Sequence, residues 1–131
     1  LYNFAGQPWK TQRLVNQVRS EFYNASPMGY AGNDDCGQMS AWYIFSSLGF
    51  YPFNAGSDDF VIGTPLFPRA VIHLPGGHDL TVTARNLSPT NIFVKSVRLN
   101  GKRLPTLSFT QQQVMQGGIL EFEMTARHPS N

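Results

Sequence analysis

A chain of 131 residues, 41% hydrophobic and 14% charged, carries enough apolar material for one modest buried core and too little charge to be disordered. Its formal charge of +2, with ten Lys and Arg dispersed along the chain, argues against a nucleic-acid or anionic-membrane surface. The single cysteine, Cys36, excludes an internal disulfide, and no apolar run is long enough to cross a bilayer. The chain opens at Leu1-Tyr2-Asn3 without an initiator Met and reads as a fragment, so signals fixing its compartment are expected to lie outside it.

The first predicted element is an amphipathic helix over residues 8–24, with Pro8 suited to a first helical position. Leu14, Val15, Val18 and Phe22 share one face, expected to pack on the second helix or on a neighbour outside this chain, while Gln12, Arg13, Gln17 and Arg19 occupy much of the other, which is expected to be wet. Trp9 stands at the entrance. An aromatic there usually packs, but beside a carboxylate-bearing turn it is also a platform for a sugar ring. Residues 24–31, with Pro27 and Gly29, form a loop that delivers the chain to that turn.

The turn is Gly32-Asn33-Asp34-Asp35-Cys36-Gly37, and it feeds an apolar run that Gly49 and Pro52 stop. A second helix is expected from Asp35 to Leu48. Asp35 suits its N-cap, and Gln38 three residues on completes a capping-box pattern. A carboxylate in that position faces the positive end of the helix dipole, which favours its ionised form and suits a general base more than a general acid. Gly32 and Gly37 bracket the acids and permit close approach of a ligand. Cys36 reads as a small buried residue of the first turn, in preference to a reactive thiol. Met39, Trp42, Tyr43 and Phe45 surround much of the second helix and imply burial on more than one side, by packing more than by ligand contact.

Beyond Pro52 the period changes to alternation. Val71 and His73, then Leu80, Val82 and Ala84, flank the turn at residues 75–79, and Ile92 to Leu99 precede Asn100-Gly101. Residues 119–124 close the pattern. About five or six antiparallel strands follow, with no helical pattern interrupting them, so a β-sandwich or sheet layer is expected. Asn100-Gly101 is the strongest hairpin signal, because both central residues of a type I′ turn need positive φ. His73, His78 and His128 lack metal-ligand spacing and read as structural or surface residues. No phosphate cradle or nucleophile elbow is present, and Asn24-Ala25-Ser26 and Asn86-Leu87-Ser88 fit the N-glycosylation pattern only formally.

Residues 32–52 resemble the signature of glycoside hydrolase family 92, the calcium-dependent exo-acting α-mannosidases: Gly-Asn-Asp-Asp at 32–35, Met-Ser-Ala-Trp-Tyr at 39–43 and Leu-Gly-Phe-Tyr-Pro at 48–52. The resemblance extends to residues 2–12 (Tyr-Asn-Phe-Ala-Gly-Gln-Pro-Trp-Lys-Thr-Gln), to Val61-Ile62-Gly63-Thr64-Pro65-Leu66-Phe67, and to Leu99-Asn100-Gly101-Lys102. Long motifs at separated places are far more specific than one short pattern.

The resemblance implies an α+β fragment in which residues 1–52 are the two C-terminal helices of an (α/α) toroid catalytic domain and residues 53–131 an antiparallel β-sandwich-like layer. It implies an inverting exo-α-mannosidase that removes terminal α-linked, chiefly α-1,2-linked, mannose from glycans. Asp35 is then the choice for the base that activates water, with Asp34 and Asn33 orienting water or sugar hydroxyls and Trp9 contacting substrate. Inversion needs a second carboxyl roughly 6.5–9.5 Å away, across the sugar. Adjacent Asp34 and Asp35 cannot divide that labour, and nothing around Glu21, Glu121 or Glu123 resembles the family's acid motif, so the isolated chain is expected to be inactive. Calcium is implied as cofactor with ligands mostly outside the fragment, and none of Asn33, Asp34 and Asp35 is assigned to it. A periplasmic or secreted location is likewise implied. The remainder of the catalytic domain is the expected partner of the helices; without it, the apolar helical face is expected to self-associate and to exchange hydrogen faster than the strands. The competing reading is a non-catalytic carbohydrate-binding or structural β-sandwich module, which would place exposed aromatics on a strand face or loop rim of the β half.

Overall fold

The alternation in the second half builds two sheets, seen in a computed structural model that describes residues 1–128. The elements in chain order are α1 (Pro8–Phe22), a single 3₁₀ turn (Asp35–Gly37), α2 (Gln38–Leu48), β1 (Phe50–Pro52), β2 (Asp59–Ile62), β3 (Arg69–Leu74), β4 (His78–Arg85), β5 (Phe93–Leu99), β6 (Lys102–Arg103), β7 (Ser108–Thr110), α3 (Gln111–Met115) and β8 (Gly118–Thr125). One sheet has the order β1-β2-β7, the other β3-β4-β8-β5-β6. The class is α+β, as the sequence indicates.

Each long strand buries every second residue: Leu80, Val82 and Ala84 on β4, Leu120, Phe122 and Met124 on β8, and Val94, Val97 and Leu99 on β5, where Val94–Ser96 holds a register shift. Phe50, Ile62 and Phe109 of the smaller sheet close the same core. The strands pair antiparallel with one exception. β8 slots between β4 and β5 after the chain has passed through β5, β6, β7 and α3, so it runs parallel to β4 (Val82 opposite Leu120), and the larger sheet is mixed. α3 is a helix where none was expected. Its residues are mostly Gln, without apolar periodicity, but Thr110 and Gln113 form a reciprocal capping box that marks its start. The Asn100-Gly101 turn has positive φ at both residues (50° and 79°), as a type I′ hairpin requires, and the Asn100 side chain also ties the hairpin to β8 by accepting from Ile119 N at 2.8 Å. β1 lies in the segment expected to end the helical unit, yet it pairs with β2 (Tyr51 opposite Val61), so the expected boundary at 52/53 falls between two paired strands.

The helices lean on this body with an unexpected orientation. α1 buries polar Gln12 (1% exposed) and Arg19 (4%), whereas Leu14 and Phe22, assigned to the packed stripe, are 37% and 48% exposed. Specific hydrogen bonds explain the reversal. Gln12 Oε1 accepts from Val94 N at 3.0 Å, and Arg19 Nη1 donates to Ser46 O at 2.6 Å and Thr64 O at 2.8 Å. The bond to Val94 satisfies a buried backbone donor beside the irregularity in β5. Ser46 is in the last turn of α2, where the dipole is negative and its carbonyl, which also accepts from Gly49 N at 3.2 Å, has a second lone pair to offer, so Arg19 fastens α1 to that end. Burial lowers the Arg19 pKa to about 10, which still leaves it charged at neutral pH. α2 likewise buries Ser46 and Ser47, half-buries Trp42, Tyr43 and Phe45, and leaves Ile44 exposed, so in this chain it is covered mainly on one side. Among the described residues no helix is long and apolar enough to cross a membrane.

Candidate active site

The acidic turn does not enter the helix in the way the spacing predicts. Cys36 (φ 54°) and Gly37 (φ 85°) are both left-handed, so the chain makes one 3₁₀ turn at Asp35–Gly37 and α2 starts only at Gln38. The capping box expected between Asp35 and Gln38 does not form. The conformation of Cys36, rare for a residue with a Cβ, coincides with an exposed side chain in place of the buried one expected.

The capping role passes to Asp34. With Gly37 preceding the first helical residue, Ser40 is the third residue of α2, and its backbone N–H is free to point at the turn. Asp34 Oδ1 accepts from Ser40 N at 2.9 Å and Oδ2 from Ser40 Oγ at 2.6 Å. The Ser40 hydroxyl, followed by its backbone N–H, holds the Asp34 carboxyl below its ordinary pKa. Asp35 is exposed, and among the described residues its carboxylate accepts no hydrogen bond, nor does exposed Asn33 take part in one through its side chain. Adjacent acids are thus differentiated: one has both oxygens engaged, while the other is open to water. Replacing Ser40 by Ala is expected to return the Asp34 pKa toward the usual carboxylate range, read by carboxyl ¹³C titration; an unmoved value would show that the hydroxyl is not what holds it. The sign for stability follows, because the depressed pKa makes Asp34 stabilising above its unfolded value and progressively less so as pH falls through the folded one.

The other candidates lie apart. Trp9 is at the far end of α1 from Tyr23, which contacts α2, and the helix between them is roughly 20 Å long by its rise. Its ring stacks on His128 at 4.7 Å, with Lys10 and Arg13 near its face, so the expected placement beside the carboxylates is not observed and packing accounts for it. Glu21 accepts from Gln17 on the exposed side of α1, and Glu121 and Glu123 are engaged by Arg85 and Asn86 on the outer sheet face. His73 pairs with Asp79 at 2.8 Å across β3 and β4.

Near the turn instead lies Tyr23, which the sequence pattern does not single out, packed on two aromatics of α2. Tyr23 stacks on Tyr43 (4.8 Å) and Trp42 (5.5 Å), and its hydroxyl donates to Met39 O at 3.2 Å, closing α1 onto the start of α2. Burial first, and then the charge of Asp34, raises the Tyr23 pKa above its usual value, which places the phenol within the field of the turn. The one available signal was the recurrence of Tyr at 23, 30 and 43 on both sides of the acids. Among the described residues no three His, Cys, Asp or Glu side chains converge as metal ligands. Asn33 and Asp35 offer open oxygens, two residues toward the about six to eight donors that calcium takes.

Comparison with known proteins agrees over nearly the whole chain. The model of the glycosyl hydrolase family 92 catalytic domain matches residues 1–126. A family GH92 α-mannosidase of Bacteroides thetaiotaomicron, solved in complex with mannoimidazole, is 37% identical, with a TM-score of 0.93 over 98% of this chain and 17% of its own. A family GH92 inverting mannosidase from the same species is 38% identical, with a TM-score of 0.89 over 97% of this chain and 17% of its own. A protein of Arthroderma benhamiae described as an uncharacterized secreted glycosidase is 28% identical over 95% of this chain and 16% of its own length. The chain therefore spans about one-sixth of the length of these relatives.

Proposed function

This chain belongs to glycosyl hydrolase family 92, and on that footing we propose that it supplies the general-base end of the active centre of an inverting exo-acting α-mannosidase. The observation that carries the reading is the asymmetry of the acidic turn: Asp34 is pinned by Ser40, while the Asp35 carboxylate beside it is exposed and uncommitted. Asp35 removes a proton from water as the water attacks the anomeric carbon; Asp34, through its fixed position, orients that water or a sugar hydroxyl, as does Asn33. The general acid comes from outside this chain and stands on the opposite side of the sugar, leaving room for water between the two carboxyls. Any calcium likewise takes most of its oxygen ligands from outside, and the proton transfer assigned here runs through the carboxylates.

Residues 1–52 are proposed as the helical end of the catalytic domain and residues 53–131 as its β layer, joined through β1. Exposed Leu14 and Phe22 support a larger assembly, since the remaining five-sixths of a family 92 protein would cover them. Self-association is the expected behaviour of the chain when that cover is missing. An extracytoplasmic location agrees with the secreted relative. The reading as a carbohydrate-binding β module would draw on Phe53 and Phe67, exposed in connections of the β half, but it is less favoured because Phe53 packs against Phe4 and the outer face of the larger sheet carries Glu121, Glu123, Arg98 and Thr83 in place of aromatics.

Proton NMR of the intact protein with an aryl α-mannoside tests the proposal. The β-anomer of mannose is expected to form first, and the 131-residue chain alone to give no turnover. First release of the α-anomer would reject inversion, and robust hydrolysis by the isolated chain would reject the division of acid and base between segments.

A further inference from the structure

Next to the acidic turn is a preformed hollow of about 490 Å³ between the loop after α1 and the first turns of α2, and its lining includes Tyr23, Asn24, Tyr30, Ser40, Tyr43 and exposed Ile44. We infer that this hollow is a carbohydrate subsite of the candidate centre, seating a sugar ring against the exposed ring of Tyr30; the inference rests on the mannosidase reading above.

Continuity with the turn is the first argument. Ser40 lines the hollow and at the same time donates twice to Asp34, so a ring in the hollow lies one side chain away from the carboxylates. Rigidity is the second. Tyr23 and Tyr30 form a β-bridge, Asn24 N donates to Gly29 O at 2.7 Å, and Ser26 N donates to Asn24 Oδ1 at 2.9 Å. Gly29 is required by this closure, since a Cβ there would collide with the Asn24 carbonyl oxygen. A wall shaped before the ligand arrives spares the ordering cost of binding. Chemistry is the third. Tyr23 is held among Tyr43, Trp42 and Tyr30, whereas Tyr30 keeps 38% of its surface exposed. Aromatic faces suit the C–H face of a pyranose, while Asn24 and Ser40 suit its hydroxyls.

Steady-state kinetics of the intact protein on an α-mannosyl oligosaccharide, with saturation-transfer NMR of the same sugar and the thermal midpoint, compare wild type, Tyr30→Phe and Tyr30→Ala. Tyr30→Ala is expected to raise KM by about tenfold, with kcat and the midpoint little changed and the saturation transfer to the sugar weakened. Tyr30→Phe, which keeps the ring, is expected to remain within about twofold of wild type in KM. An unchanged KM in Tyr30→Ala overturns the inference. So does a lowered midpoint with unaltered KM, which would mean that another segment of the protein fills the hollow. A wild-type protein that binds the sugar through Tyr30 without hydrolysing it would sink the enzyme reading and leave the subsite standing.

Discussion

Asp35→Asn in the intact protein is expected to lower kcat by about 10² or more while KM stays within a few-fold, the pattern for loss of a group that acts in the transition state. The substitution is clean for a structural reason. Asp35 accepts no hydrogen bond among the described residues, so an isosteric amide removes the basic oxygen without releasing any part of the turn. Asp34→Asn is the contrasting change, because only one of its two atoms could then accept from Ser40 and the turn itself would loosen. Thermal midpoints separate the cases: Asp35→Asn should match wild type and Asp34→Asn should not. An unaltered kcat would remove Asp35 from the base role.

The second large effect is expected at Arg19. Arg19 is 4% exposed, and its guanidinium bridges the last turn of α2 to Thr64 in the link between β2 and β3. Replacement by Met fills similar space but removes two charge-assisted hydrogen bonds, each of which contributes about 1.5–3 kcal/mol. Relief of the buried charge offsets part of that loss, so a net destabilisation of about 3 kcal/mol is expected. In a protein of marginal stability this should appear as a fall of about 5 °C or more in the thermal midpoint. Arg19→Lys, which keeps the charge and a single donor group, should fall between. A midpoint for Arg19→Met within about 1 °C of wild type would show that α1 is held by the Gln12 and Tyr23 contacts alone.

What the sequence made legible divides by the kind of force at work. Strands β4, β5 and β8 were readable because Leu80, Val82, Ala84, Val97, Leu99, Leu120 and Phe122 alternate with polar residues and each burial is decided locally by period. The Asn100-Gly101 hairpin was readable from backbone sterics alone. α1 was readable as a helix but not in its orientation, because its inward face is chosen by partners far along the chain, Val94 for Gln12 and Thr64 for Arg19. With most of the family 92 fold lying outside this chain, the apolar stripe is left for a neighbour beyond it, one of the two partners expected, and what fails is the expectation of a wet face for Gln12 and Arg19. In the carboxylate turn it was the cap that was misplaced: Asp35 was given the cap that Asp34 fills, since nothing in the residue types announces left-handed Cys36, which delays the helix to Gln38. Trp9 was tied to the site by composition, and helix length separates them.

The most direct test of Asp35 as the base is azide rescue. In Asp35→Ala the vacated space opens the face of the sugar from which water attacks, and a small anionic nucleophile needs no base. Sodium azide is expected to restore turnover of an activated α-mannoside by the intact Asp35→Ala protein, with β-mannosyl azide as the product seen by NMR. The same variant giving α-mannosyl azide, or no azide adduct while wild type remains active, would contradict the assignment of Asp35.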